Sequence, residues 1–172
     1  MGNNWSPYKI IRVRPTLTED SAYTAGDVVF NTTEIPNAVI GDGGCSELIG
    51  AYLLDEQMVT SDLEIYFMET STAFATSAMH NTADITDANL EAAKIIGAAK
   101  VDGSDAATTG IDNAIIHRLL LSNQSGGGEG NTSMLLQAAA GSTSVYFTGT
   151  CNSTPTYADT DSLEFIFHIK YR

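Results

Sequence analysis

Positive charge is what this chain has least of. Lys and Arg together number 8 in 172 residues, against 21 Asp and Glu, for a formal charge of −13. A protein so poor in cations cannot build the continuous basic stripe that phosphate backbones require, so no nucleic-acid partner is expected. The same deficit argues against anionic membrane surfaces. Cysteine is scarce too: Cys45 and Cys151 do not make a disulfide framework, and both read as small buried thiols. No stretch approaches the length of apolar sequence that spans a bilayer, so no membrane is expected. The first eight residues contain no signal-peptide-like apolar run. There is no repeat at a fixed interval, which excludes solenoids and propellers.

What is present is apolar residue diluted in small polar ones. Hydrophobic residues make up 43%, with Thr and Ala at 20 each, Gly at 15 and Ser at 14. This is too apolar for a disordered chain, and the length suits one domain. The dominant pattern has period two. Leu63, Ile65 and Phe67 share a face, as do Leu163, Phe165, Phe167 and Ile169. Further strands are predicted over residues 9–17, 27–31, 34–40, 46–54, 92–101, 114–122, 134–138 and 144–150. Turn clusters such as Gly41-Asp42-Gly43-Gly44 and Asp102-Gly103-Ser104-Asp105 separate them. One short helical turn is predicted over 87–91, behind the N-cap residue Thr86. Residues 71–84 have no period and read as a loop. The fold expected is all-β: a single antiparallel β-sandwich, jelly-roll-like, over residues 9–172, with residues 1–8 an extended N-terminal arm.

Catalytic constellations are not found. His80, His117 and His168 share no metal-ligand spacing, and neither cysteine has a basic neighbour in sequence. There is no nucleophile elbow and no Walker loop. The glycine run 126–130 carries Glu129 and no Lys, which repels phosphate. The Asp102–Asp105 turn offers oxygen ligands but no complete calcium motif. No catalytic residue, metal or cofactor is assigned, and the chain reads as a non-enzyme.

The charge is unevenly placed. Between residues 15 and 93 there are 14 acids and no base, while the rest of the chain holds 8 bases and 7 acids. Lys9, Arg12 and Arg14 gather beside the arm, where Trp5, Pro7 and Tyr8 offer apolar anchors of the kind that dominate interfaces. These six are the candidate partner-contact residues. The polarity implies two contact faces, one anionic across the first half and one formed by the arm and its cations.

Several segments carry a family likeness. Ser21-Ala22-Tyr23-Thr24-Ala25-Gly26-Asp27-Val28-Val29 precedes Thr33-Glu34-Ile35-Pro36-Asn37-Ala38. A glycine-rich turn follows, then a strand ending in Leu53-Leu54-Asp55, then Asp62-Leu63-Glu64-Ile65-Tyr66-Phe67-Met68, and late in the chain Pro155-Thr156-Tyr157. From about residue 9 onward this order resembles small virion proteins of tailed bacteriophages, often of marine or cyanobacterial hosts, among them capsid decoration and cement proteins. The resemblance implies a protein of the capsid exterior, assembled in the host cytoplasm. Its implied partners are the major capsid protein and further copies of itself, a trimer favoured over a dimer. Loops 71–84 and 126–130 lie outside the likeness, and it assigns no binding residue. The alternative function is a fibre or receptor-binding β-domain of the virion that recognises glycan.

Overall fold

Alternation of apolar and polar residues is what lets each strand present one face to a core. The computed structural model of the chain describes residues 7–59, 61–104, 106–107, 113–122 and 133–172. Trp5 lies outside the described residues. So do the glycine run 126–130 and Asp105.

The described residues form two antiparallel sheets. In the first, β1 (Tyr8–Val13), β11 (Leu163–Tyr171), β3 (Cys45–Asp55), β7 (Ile115–Arg118) and β6 (Ala106–Ala107) lie side by side. The short β9 (Met134–Gln137) pairs with the beginning of β3, while β7 pairs with its end. In the second, the order is β2 (Val28–Ile35), β10 (Val145–Cys151), β4 (Leu63–Met68), β5 (Ile95–Val101) and β8 (Leu120–Ser122). Without the short β6, β8 and β9, eight principal strands remain. One sheet then holds the first, eighth, third and sixth of them, and the other the second, seventh, fourth and fifth. This is the double Greek key of a jelly roll, and the expected all-β sandwich is what the chain forms.

Side chains from both sheets share one core. Phe147 of β10 packs against Phe30 at a ring-centroid distance of 5.3 Å, and against Phe165 and Phe167 of the opposite sheet at 5.1 Å each. Phe67 meets Phe167 edge-on at 5.9 Å. All five rings are wholly buried. Edge-to-face pairs of this kind contribute about 0.5–1.5 kcal/mol each beyond the area they bury.

Several boundaries differ from the sequence reading, each for a local reason. β1 starts at Tyr8, which sequence had counted with the arm, and the Pro7 carbonyl accepts a bond from the Tyr171 N–H at 2.7 Å. It stops at Val13, short of the predicted Leu17 and just before Pro15, which has no N–H to offer a ladder. Residues 27–31 and 34–40, expected as two strands, make the single β2. Asn31 and Thr32 resemble a turn in composition but form only a register shift between the paired residues Phe30 and Thr33, and the real turn comes at Pro36 and Asn37, where the Asn37 φ is +52°. Residues 114–122 are not one strand. Buried Leu119 donates its N–H to the Ala51 carbonyl, and the chain crosses there from β7 in one sheet to β8 in the other.

The helical turn is longer than predicted: α1 spans Asp87–Ala93. Thr86 and Asn89 form a reciprocal capping box, and Lys94 in the left-handed region ends the helix. Ala92 and Ala93 therefore belong to the helix and not to a strand. The aperiodic segment 71–84 has a structural task. Its Phe74 and Ala75 are buried with Val28, Met68 and Ala93 in a second apolar cluster, on the outer side of the second sheet. Phe74 stacks on Tyr66 at 4.4 Å.

Gly149 sits among the phenylalanines where β10 shifts register against β2. A Cβ at this position would stand 2.7 Å from Phe30 Cε1 and 3.0 Å from Ile65 Cδ1. Replacing Gly149 with Ala should therefore cost about 1–3 kcal/mol of stability through overpacking. Denaturant unfolding measures it, and an unchanged midpoint would show that the ring cluster has slack.

Candidate functional site: the open face of the first sheet

The two outer faces of the sandwich are treated differently by the chain. The second sheet is roofed by segment 71–84 and α1. A shallow apolar groove of about 780 Å³ remains there, between Tyr66, Phe74, Ile85, Leu90 and Ile95. The outer face of the first sheet has no such roof among the described residues.

Antiparallel register arranges that open face in transverse rows. Arg12 of β1 stands opposite Ile166 of β11, Ile166 opposite Tyr52 of β3, and Tyr52 opposite Arg118 of β7. In the next row Glu164, Leu54 and Ile116 are opposed in turn. On the other side come Ile10, His168 and Gly50, then Tyr8, Lys170, Glu47 and Leu135. Tyr52 and His168 approach with centroids 5.3 Å apart. Among the described residues, the large hydrophobic side chains with the greatest exposure are all here: Ile10 at 59%, Tyr8 at 56% and Leu135 at 52%.

Six of the eight cations lie on or beside the same sheet. Arg12 Nη1 is 2.7 Å from Glu164 Oε2. Arg14, just past β1, grips Glu56 with both Nη atoms, at 2.5 and 3.0 Å, and reaches the Asp161 carbonyl at 2.9 Å. Arg172 contacts Glu47 at 3.1 Å. Lys9 borders a groove of about 450 Å³ with Asn37, Ile40 and Tyr171. Lys94 and Lys100 belong to the other sheet's side of the molecule. Four of the six sequence candidates, Tyr8, Lys9, Arg12 and Arg14, are thus brought together along β1, with Pro7 at its threshold.

Sequence reading missed Ile10, Tyr52, Leu54, Ile116, Arg118, Ile166 and Lys170 as members of this surface. A signal existed. Ile166 falls in the polar phase of the last strand, between Glu164 and His168, and Ile10 doubles with Ile11. An Ile on the solvent side of a clean alternation marks a face that is not simply solvated.

Part of the acidic excess gathers at one end of the sandwich. Residues 14–27, 56–62, 102–104 and 152–162 connect strands at one end. They carry Glu19, Asp20, Glu56, Asp62, Asp102, Asp159 and Asp161, the last three from beyond residue 93. Asp102 there is spent on its own turn, its Oδ1 accepting from Ser104 N and Oγ at 2.9 and 2.6 Å. Buried Tyr157 hydrogen-bonds Ser61 at 3.0 Å, and buried Tyr23 donates to the Val29 carbonyl while accepting from Thr18 N–H. These bonds tie the end loops to the core.

The remaining candidates are dispersed. Buried His117 is in β7, and His80 packs edge-on to Tyr23 at 4.8 Å. Cys151 is buried but Cys45 is exposed, against expectation, and both are free thiols. Strand alternation is the reason: it turns Ser46 inward, where its hydroxyl donates to the Ala38 carbonyl, and Cys45 outward. No group of three His, Cys, Asp or Glu among the described residues is placed to hold a metal ion. No protein-family model matches the chain, and no curated protein matches it.

One carboxyl in the anionic end is shifted upward. Burial raises Asp55 from 3.8 to about 6, against the opposing effect of backbone N–H bonds from Gln57, Val59 and Met58. The folded state therefore keeps this proton to higher pH than the unfolded chain does. Ionisation of Asp55 costs folding free energy that is absent below pH 3.8 and fully present above about pH 6. Asp55→Asn keeps an acceptor for Gln57 N–H but cannot ionise. The variant should melt above the wild type at neutral pH, with the gap closing as pH falls to about 4. Melting both proteins across that range is the measurement, and a gap independent of pH would reject the assignment.

Proposed function

We propose that this chain is a non-enzymatic structural protein of a tailed-phage virion, binding the outside of the capsid and decorating or cementing it. The observation that carries the reading is the open outer face of the first sheet. It mixes Ile, Leu and Tyr with Arg, the composition that favours the desolvated centre of a protein interface. Its cations are partly neutralised by Glu164, Glu56 and Glu47, so the surface can be covered without stranding many charges. Jelly rolls serve in viral capsids but also in lectins and cupins, so the fold supports this reading without choosing it. The resemblance of strand and turn order to phage decoration proteins points the same way. In this role the major capsid protein is the partner, and the site of action is the capsid exterior.

A cement role has a direct mechanical test. Particles stripped of this protein should rupture at lower temperature than complete ones, and adding it back should restore the difference. Equal rupture temperatures would remove the role. For the surface itself, Ile166→Glu places a carboxylate between Arg12 and Tyr52 without touching the core. It should weaken binding to stripped capsids about tenfold or more, the equivalent of at least 1.4 kcal/mol. Unaltered affinity would mean that the shell is met by another face.

A further inference from the structure

We infer that the groove on the roofed side of the second sheet is a docking site for a partner protein, and that it takes a segment combining apolar side chains with Lys or Arg. It lies on the outer face opposite to the open first sheet, so both surfaces can be occupied at once. The contact goes beyond the capsid reading and does not rest on it. Register builds the groove. Tyr66 of β4 stands opposite Ala98 of β5, and the small Ala98 side chain leaves the floor low beside the Tyr66 ring. α1 supplies Leu90 and Glu91 to the lining, with Ile85 before the helix and Ile95 after it. Ile85, Leu90 and Ile95 are 39%, 40% and 37% exposed. Three large aliphatic side chains grouped around one trough and left partly in water mark a surface that something apolar covers. The trough is large, about 780 Å³, but shallow. A small molecule needs roughly 70–90% of its surface covered, which a shallow trough does not supply, whereas a row of side chains on a partner segment fits it.

Charge selects the partner. Glu91 is the one charged side chain among the described lining residues. It stands in the last turn of α1, where the helix dipole disfavours a carboxylate, and that turn holds no base. Helix stability therefore does not account for it. Asp84 and Asp87 flank Ile85 in sequence and, like Glu91, are exposed and have no ion-pair partner among the described residues. The two ammonium groups on this side of the molecule are already engaged, Lys94 with Glu69 at 3.3 Å and Lys100 with Glu64 at 3.5 Å. An apolar trough with uncompensated carboxylates along its helix accepts apolar residues flanked by cations and repels an acidic segment.

Three fluorescein-labelled peptides and the full chain make the test, read by fluorescence anisotropy. A peptide of Leu and Lys should bind. Its twin of Leu and Glu should not, and neither should a peptide of Ser and Lys, which keeps the charge and loses the apolar side chains. Glu91→Lys should weaken binding of the Leu/Lys peptide about tenfold or more. Glu19→Lys makes the same change of net charge at the anionic end and should leave affinity within about twofold, since salt screens distant charges. Ala98→Leu fills the floor and should weaken binding as Glu91→Lys does. Leu90→Gln, on the exposed side of α1, should do the same without burdening the sheet. Methyl NMR spectra should place the peptide-induced shifts on Ile85, Leu90 and Ile95. No binding of the Leu/Lys peptide, equal losses from Glu19→Lys and Glu91→Lys, or shifts centred on Ile10 and Ile166 would overturn the proposal. So would a wild type that dimerises by light scattering and that Glu91→Lys returns to the 18.3 kDa monomer, since a second copy would then fill the groove. No capsid enters these measurements, so the capsid role stands or falls separately.

Discussion

The contact between Phe147 and the pair Phe165 and Phe167 holds the molecule together, because it is where one sheet meets the other. β10 and β11 each lie between two principal strands of their own sheet, so rings placed on them brace both sheets at once. Gly149 is part of the same arrangement: the absence of a side chain there is what admits the Phe30 ring. The consequence reaches the surface. With Phe165 and Phe167 committed inward, alternation commits Glu164, Ile166, His168 and Lys170 outward, and these form the central column of the open face. Core and candidate interface are opposite sides of a single strand.

That coupling explains how much could be read in advance. The strands with clean alternation, β4 and β11, were legible to within a residue or two, and the all-β sandwich followed from the spacing of turns. Breaks set by tertiary contact were not legible. Nothing local in residues 114–122 announces that Leu119 belongs to neither strand, since the cause is a bond to Ala51 far away in the chain. The loop 71–84 hid its function in the same way. Phe74 has no periodic partners, and its burial depends on Tyr66 and Val28 being beneath it.

The candidate surface was half legible. Composition drew attention to Lys9, Arg12 and Arg14, which do share one edge. Their apolar companions come from four different strands, and only pairing register brings Ile166, Tyr52 and Ile116 into their neighbourhood. The acidic excess of residues 15–93 is spread by the topology: Glu19, Asp20, Glu56 and Asp62 come to the end where four connections meet, beside Asp102, Asp159 and Asp161 from later in the chain, while Glu34, Asp42, Glu69, Asp84, Asp87 and Glu91 lie elsewhere.

The tyrosine-tied loops at that end fix a group of carboxylates in space, while Arg12 and Arg172 are fixed on the open sheet, each beside a glutamate of the same sheet. An uneven distribution of charge held in a rigid body amounts to a permanent dipole. Such a body feels a torque in any external field, over roughly a Debye length of 8–10 Å at ordinary salt. Any charged partner would bias the orientation of this molecule before contact, and the fold sets the direction of that bias.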